Sequence, residues 1–464
     1  MTFAAHESCV IVIGAGMTGI GAGYYLDAAG ISYTILEANE DLGGVWNTHR
    51  WHGVRCDSDF IKYSFSFRPY LSPHCLQSGA TIRNYLRDVA QEFSITPHIR
   101  FNTRVLKAVF DPAKHRWVVH TDRGTFSAQF LFNGNGYFSE EPYIPVFRDS
   151  AKFKGEIIHT SNLDGSRTFE GKKVVLVGSG STSICCAPEL AKTAQSLVLL
   201  QRSPSYIYEI TNRAGPLILL CQNLYRLGLR APVRWLRSYL QFRDDVIFVG
   251  FRRFPLLARR FFRRHWETTV GEDELRAHFS PSYDPWEQRI AVAIGLKEKL
   301  RDGAITIKTA PIERFTGTSI VLTGGDSIDC DVCILATGLN LRFFSFDVYV
   351  GDAKIALARI NFYKGLLLGG IPNYFHPMGS WHSAWTQRCE PLTRLAVRIV
   401  MHMKSRNLAV VSVPRRDIEC RPGITPNYVI RTLATIPRLE GTTNLPSIDN
   451  IFCTRFRAAA YHFS

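Results

Sequence analysis

Short uninterrupted apolar runs recur along the chain, and two of them end in glycine-rich turns. Residues 10–13 lead into Gly14-Ala15-Gly16-Met17-Thr18-Gly19, and residues 174–177 lead into Gly178-Ser179-Gly180-Ser181-Thr182-Ser183. An apolar run of this length, bounded by a turn, marks a strand buried on both faces and therefore parallel. After each turn the residues read as a helix. A second strand follows each helix, at 31–36 and at 197–200. Runs at 305–307, 319–322 and 330–335 predict further strands, with a turn at Thr323-Gly324-Gly325-Asp326. The pattern predicts an α/β fold with two Rossmann-like dinucleotide-binding domains.

Strand, Gly-x-Gly turn and helix together seat a pyrophosphate on a helix N-terminus. Two such units predict two dinucleotides and electron transfer between them. The ends of the second strands separate the two. The first ends at Glu37, 18 residues beyond Gly19, where a carboxylate accepts hydrogen bonds from a ribose 2′-hydroxyl. The second ends at Gln201-Arg202-Ser203 without a carboxylate. An acid there repels a 2′-phosphate, whereas Arg202 and Ser203 bind one. FAD is therefore expected at the first unit and NADPH at the second. Ser183 stands where the second motif ordinarily has Gly or Ala, and is small enough for close helix–strand packing.

With 464 residues, the chain is expected to hold two or three domains. Residues 1–8 are too short and polar for a signal peptide. No apolar run approaches the roughly 18 residues that span a bilayer. Eleven scattered cysteines fit a reducing cytoplasm better than a disulfide scaffold. Cys330 and Cys333 form a CxxC, but in a strand residues three apart point to opposite faces. Neither a redox nor a metal role is expected of them, and Cys185-Cys186 reads as helix packing.

The net charge of +15 gathers between Arg213 and Arg264, where twelve arginines meet only Asp244 and Asp245. Bulky apolar residues interleave with them. The segment reads as amphipathic helices whose charge is either a solvated face or a peripheral contact with an anionic membrane surface. The latter would put a cytoplasmic protein at the inner face of the membrane. No recognition module accompanies the charge, so nucleic acid is not an expected partner.

Four segments follow: a first part of the FAD domain at 1–148, a linker at 149–171, an NADPH domain at 172–334 with a helical insertion at about 205–285, and completion of the FAD domain with an active-site cover at 335–464. The strand ending in Thr337-Gly338 is expected to carry the chain back to the FAD domain, with both residues near the cofactor.

Phe153, Gly155, His159 and Asp164 stand in the spacing FxGxxxHxxxW(P/D), with Leu163 in place of the Trp. This resembles the fingerprint of the class B flavoprotein monooxygenases of the Baeyer–Villiger type. Gly43-Gly44-Val45-Trp46 is similar to the family's flavin-side turn. Arg50-Trp51-His52-Gly53-Val54-Arg55-Cys56-Asp57 is similar to RYPGxRxD, with Trp51-His52 in place of Tyr-Pro. Phe279 to Arg289 is similar to the FxPxYxPWDQR segment of the subgroup containing the ethionamide-activating mycobacterial enzyme.

The resemblance implies that NADPH reduces FAD, that reduced flavin and O2 form a C4a-peroxide, and that one oxygen enters a hydrophobic carbonyl substrate. It places Asp57 and Arg289 at the active-site acid and arginine. Arg289 would stabilise developing negative charge, and Asp57 would orient it. The bland alternatives are a loop cap for Asp57 and a surface or phosphate contact for Arg289. His159, in the inter-domain linker, is expected to be structural or gating rather than a proton carrier. Trp381, Trp385, Tyr374 and Phe375 either line the substrate pocket or belong to the core. Rival activities are N- or S-oxygenation of an amine or thioether, which Leu163 and Trp51-His52 keep open, and a non-catalytic membrane-associated redox protein. A disulfide reductase needs a cysteine pair near the flavin, and Cys56 stands alone there.

Overall fold

A computed structural model describes residues 6–358, 360–379, 383–416, 431, 437–440 and 462–463. The first apolar run forms the centre of the His6–Ile13 strand, whose residues 10–13 are at most 4% exposed. It pairs in parallel with Tyr33–Leu36 on one side and Gly124–Asn133 on the other. The sheet has nine strands. It continues past Tyr33–Leu36 to Ile99–Arg100, and past Gly124–Asn133 through Arg116–Thr121, Val105–Asp111 and Asp347–Val350 to Ala353–Lys354. Tyr374–Phe375 also pairs with Gly124–Asn133. The Met17–Ala28 and Thr386–Ser405 helices cover one face of its centre, as a parallel sheet requires.

The second run forms Lys173–Val177, central in a five-stranded, wholly parallel sheet. Its order is Ile305–Thr309, Ser196–Gln201, Lys173–Val177, Val332–Leu335 and Glu156–His159. The last of these strands comes from the segment expected as a linker. Ile312–Phe315, Ser319–Leu322 and Ser327–Asp329 form a small antiparallel sheet beside it. The chain leaves the first sheet through Phe138–Pro142 and returns through Leu339–Leu341, and these two segments pair antiparallel with each other.

Cys330 departs from expectation. The strand begins only at Val332, so Cys330 lies in the turn before it and packs into the same apolar cluster as Cys333. Both are free thiols, and burial pushes the Cys330 thiol up to about 12.

Four helices fill the expected insertion: Pro216–Arg226, Ala231–Arg253, Pro255–Glu267 and Glu272–His278. Among the described residues no helix is long and apolar enough to cross a membrane. The Ala231–Arg253 helix is tied to the first sheet's side by a buried arginine. Arg237 donates to the Ile61 and Ser64 carbonyls and lies 3.9 Å from the Glu390 carboxylate. Glu390 also accepts from the Tyr25 hydroxyl and the Ser66 amide. Removing one member of a buried ion pair strands the other charge and costs about 3–5 kcal/mol. Arg237→Ala is therefore expected to lower the unfolding midpoint by several degrees in a thermal melt, more than any exposed arginine of the insertion.

Candidate active site

Both glycine turns and both strand ends open onto one cavity of about 1110 Å³ between the two sheets. This exceeds the roughly 300–1,000 Å³ of a pocket for one small ligand and suits extended dinucleotides. Gly14, Gly16, Glu37, Gly44, Trp46, Asp57 and His159 line it from residues before the second glycine turn. Gly178, Gly180, Ser181, Thr182, Arg202, Ser203, Arg289, Thr337 and Gly338 line it from that turn onward. Gly19 stands behind the wall.

The first turn is a backbone cradle. Gly14 has φ +89° and donates its amide to the Leu36 carbonyl. A Cβ on Gly19 would stand 1.9 Å from the Gly14 carbonyl oxygen, so this position accepts only glycine. Across the cavity Gly44, with φ +56°, brings its backbone against Gly16; a Cβ on Gly44 would lie 3.2 Å from the Gly16 Cα. The Met17–Ala28 helix starts at Gly16 with no capping side chain and no acid in its first turn. Its first amides are therefore available to an anion. Glu37 is buried. One of its oxygens accepts from the Ala15 amide at 2.7 Å, and the other from the amide and side chain of Asn39. The carboxylate thus braces the glycine turn from behind, a contact the strand-end reading did not anticipate.

The second turn repeats the plan. A Cβ on Gly178, at φ +143°, would meet the Ala336 carbonyl oxygen at 2.5 Å. The Ser181–Leu190 helix starts at Gly180, again uncapped by a side chain and without an acid in its first turn. A Cβ on Gly180 would meet nothing within 4 Å. Ser183 does more than fit: its hydroxyl donates to the Gly180 carbonyl at 2.8 Å. Arg202 and Ser203 are exposed at the rim, and buried Gln201 fixes the strand end by donating to the His278 carbonyl and the Thr309 hydroxyl. On these observations each cradle fits the pyrophosphate of a dinucleotide.

Asp57 and Arg289, 232 residues apart, meet in the wall of this cavity. The Arg289 Nη2 donates to the Asp57 Oδ2 at 2.6 Å, a charge-assisted bond. The Asp57 segment is held by the insertion: Lys62 pairs with Asp244, and Asp59 with Arg243. Trp46 donates its indole N–H to the Tyr63 hydroxyl at 3.0 Å, which fixes the ring at the wall. The Thr337 hydroxyl donates to the Tyr143 carbonyl at 2.6 Å, and Gly338 turns at φ +98°. The His159 Nδ1 accepts the Ser161 amide, so its ring proton sits on Nε2, and the buried ring interacts with the Gly338 backbone. Burial lowers its pKa and keeps the ring neutral.

The aromatic group divides. Trp385 lines the cavity and donates to the Thr18 hydroxyl at 2.8 Å. Tyr374 and Phe375 are fully buried in the first sheet and form core, because their strand pairs with its middle. Trp381 lies outside the described residues. Leu163 is core too, 2% exposed and absent from the wall, so that departure changes packing below the site. The fingerprint and the Arg50–Asp57 stretch touch each other: the Gly165 amide donates to the Arg50 carbonyl, and His52 bonds the Arg167 carbonyl. Cys56 and Cys185 line the cavity, but burial pushes both thiols up to about 12, where neither forms the thiolate that disulfide exchange needs.

A family model described as pyridine nucleotide-disulphide oxidoreductase matches residues 11–212. The chain is 34% identical to the FAD-containing monooxygenase EthA of Mycobacterium tuberculosis, over 94% of this chain and 91% of that protein. It is 30% identical to the probable FAD-binding monooxygenase AlmA of Acinetobacter baylyi, over 92% of this chain and 89% of the other. The chain belongs to the class B flavoprotein monooxygenases, Baeyer–Villiger type. Within that family it groups with the mycobacterial proteins EthA and MymA; the putative FAD-containing monooxygenase MymA of Mycobacterium tuberculosis is 32% identical over 89% of this chain and 86% of its own. It is an FAD- and NADPH-dependent monooxygenase. The same architecture is seen in an oxidized steroid monooxygenase bound to NADP, with TM-score 0.79, 23% identity and coverage of 98% of this chain and 99% of that one. An open cyclohexanone monooxygenase aligns with TM-score 0.78 and 20% identity over 99% of this chain and all of its own.

Proposed function

We propose that the chain carries out Baeyer–Villiger oxidation, inserting one oxygen atom of O2 beside the carbonyl of a hydrophobic ketone to give an ester or lactone. The Asp57–Arg289 pair in the wall of the shared cavity is the observation that carries this reading. When bound, FAD reduced by NADPH supplies the oxygen-activating chemistry. The chain's own residues bind, orient and stabilise. Arg289 holds a permanent positive charge where negative charge develops on the carbonyl oxygen, and preorganised charge of this kind is usually the largest catalytic contribution. Asp57 orients the guanidinium and partly neutralises it. Neutral His159 and the Thr337–Tyr143 bond keep the junction of the two halves in place.

In this reading Gly14, Gly16 and Gly19 seat the FAD pyrophosphate, Glu37 meets its ribose, and Gly44 and Trp46 border its ring. Gly178, Gly180, Ser181 and Thr182 seat the NADPH pyrophosphate, with Arg202 and Ser203 on the 2′-phosphate. Residues 1–148 and the chain after Leu335 make up the FAD domain; the segment 149–171 leads into the NADPH domain and gives its Glu156–His159 strand to it, the rest of that domain lies at 172–335, and residues 205–285 are the insertion. The protein works in the cytoplasm, with the Arg213 to Arg264 segment in peripheral contact with a membrane.

Two measurements test the reading. Arg202→Ala is expected to raise the KM for NADPH about tenfold while leaving the KM for NADH unchanged, since a hydrogen bond to a charged group is worth about 1.5–3 kcal/mol. Turnover with NADPH under ¹⁸O₂, offered a cyclic ketone, a linear ketone and a thioether together, is expected to give singly labelled ester or lactone by mass spectrometry. Labelled sulfoxide with no ester overturns the proposal in favour of heteroatom oxygenation.

A further inference from the structure

The insertion's surface differs from the rest of the molecule. Among the described residues 19 large apolar side chains are exposed, and 15 of these lie between Leu217 and Phe261. They follow a pattern. In the Ala231–Arg253 helix, Val233, Leu236, Leu240 and Asp245 face inward. At about 100° per residue, Trp235, Tyr239, Phe242, Val246 and Val249 fall on the opposite side as a second stripe, and all five are exposed. The Pro255–Glu267 helix buries Ala258, Phe262 and Trp266, yet leaves Leu256 79% and Leu257 61% exposed at its start. Exposed apolar side chains gathered in this way mark an interaction site.

The charge around it is one-sided. Asp244 pairs with Lys62 and Arg243, and Asp245 is buried against Gln241, so both acids of the segment turn inward. Arg230, Arg234, Arg252, Arg260 and Arg264 are exposed and have no carboxylate partner among the described residues. No lysine stands between Arg213 and Arg264. Guanidinium groups bind phosphate oxygens in bidentate fashion, and their long stems lie along apolar surface while the charge stays in water.

We infer that this surface docks on an anionic lipid bilayer, with Phe242, Leu256, Leu257 and their neighbours entering the acyl boundary and the unpaired arginines engaging lipid phosphates. The inference rests on the peripheral contact proposed above and names its lipid chemistry and its inserted side chains. The docked helices adjoin both walls of the cavity. Phe262 packs on Tyr206, just beyond the NADPH-side wall, and Asp244 holds the Lys62 end of the segment that carries Asp57. A hydrophobic substrate dissolved in the bilayer would thus meet the enzyme beside its cavity.

The test is co-sedimentation of the full-length flavin-loaded protein with vesicles of phosphatidylcholine containing about one third phosphatidylglycerol, and with phosphatidylcholine alone. Binding to the anionic vesicles is expected to be at least about tenfold tighter, given roughly 1 kcal/mol per basic side chain at such a surface. Phe242→Glu with Leu256→Glu and Leu257→Glu is expected to abolish it, and Arg260→Ser with Arg264→Ser to weaken it about thirtyfold. Flavin content and NADPH oxidation in solution should stay at wild-type levels in both variants. Equal binding to both vesicles leaves a membrane contact but overturns the anionic docking, whereas binding to neither overturns both. An apolar variant that turns an oligomer into a monomer, by light scattering, without changing vesicle binding assigns the face to a second copy of the chain and overturns the inference. Turnover is read separately, so failure of the oxygenation chemistry leaves the vesicle result standing.

Discussion

Arg289→Ala is expected to bind FAD and oxidise NADPH, but to return hydrogen peroxide in place of oxygenated product. The expected fall in product formation is about 10²- to 10³-fold, the usual cost of removing one preorganised electrostatic donor. The argument turns on where the pair sits and how much it is worth to the fold. Arg289 is 41% and Asp57 25% exposed, and their bond lies in the cavity wall. An ion pair this exposed contributes at most about 1 kcal/mol to stability. A structural role would therefore leave product yield untouched, whereas a catalytic one leaves the thermal midpoint nearly untouched and removes the product. Arg289→Lys is expected to recover only part of the loss, because a point charge does not reproduce the planar fork. Product yield at the wild-type level in Arg289→Ala would sink the assignment.

Gly19→Ala is expected to yield protein depleted of flavin, read as absorbance near 450 nm per mole of chain. The added methyl would lie 1.9 Å from a carbonyl oxygen and 3.0 Å from its carbon, both main chain, and main chain cannot swing aside as a side chain can. The Gly14 turn must shift. Overpacking of this kind costs about 1–3 kcal/mol, which corresponds to roughly five- to a hundredfold in affinity if it falls on the flavin site. Gly180→Ala is the contrast. Its methyl would meet no protein atom within 4 Å, at a position that lines the cavity. That variant is expected to keep its flavin and to lose affinity for NADPH. Full flavin content in Gly19→Ala would mean that the first turn does not depend on this close approach.

Features set by local pattern were legible in the sequence. The two parallel strands, their glycine turns and the helices after them stand where the apolar runs place them, because burial on both faces leaves its mark residue by residue. Glu37 was legible as a strand-end acid, but its bond to the Ala15 amide was not, since that depends on how the turn curls back. Asp57 and Arg289 were singled out by resemblance alone; no spacing rule brings together residues 232 apart. The buried meeting of Tyr25, Ser66, Arg237 and Glu390 left no sequence signal, because each residue is an ordinary polar position on its own element. Tyr374 and Phe375 show the reverse failure. Aromatic residues look alike in a core and in a pocket, and only the pairing of their strand with Gly124–Asn133 separates the cases. The Cys330–Cys333 spacing misled because the strand starts later than its apolar run.

The two crossings between the sheets run side by side, Phe138–Pro142 hydrogen-bonded to Leu339–Leu341. A single strand of chain would let one half wander in any direction over the other. Two hydrogen-bonded crossings resist such sliding, because displacing one half along the other would break the ladder between them. The ribbon thus helps to hold the two cofactor cradles, one on each side of it, in a fixed mutual alignment.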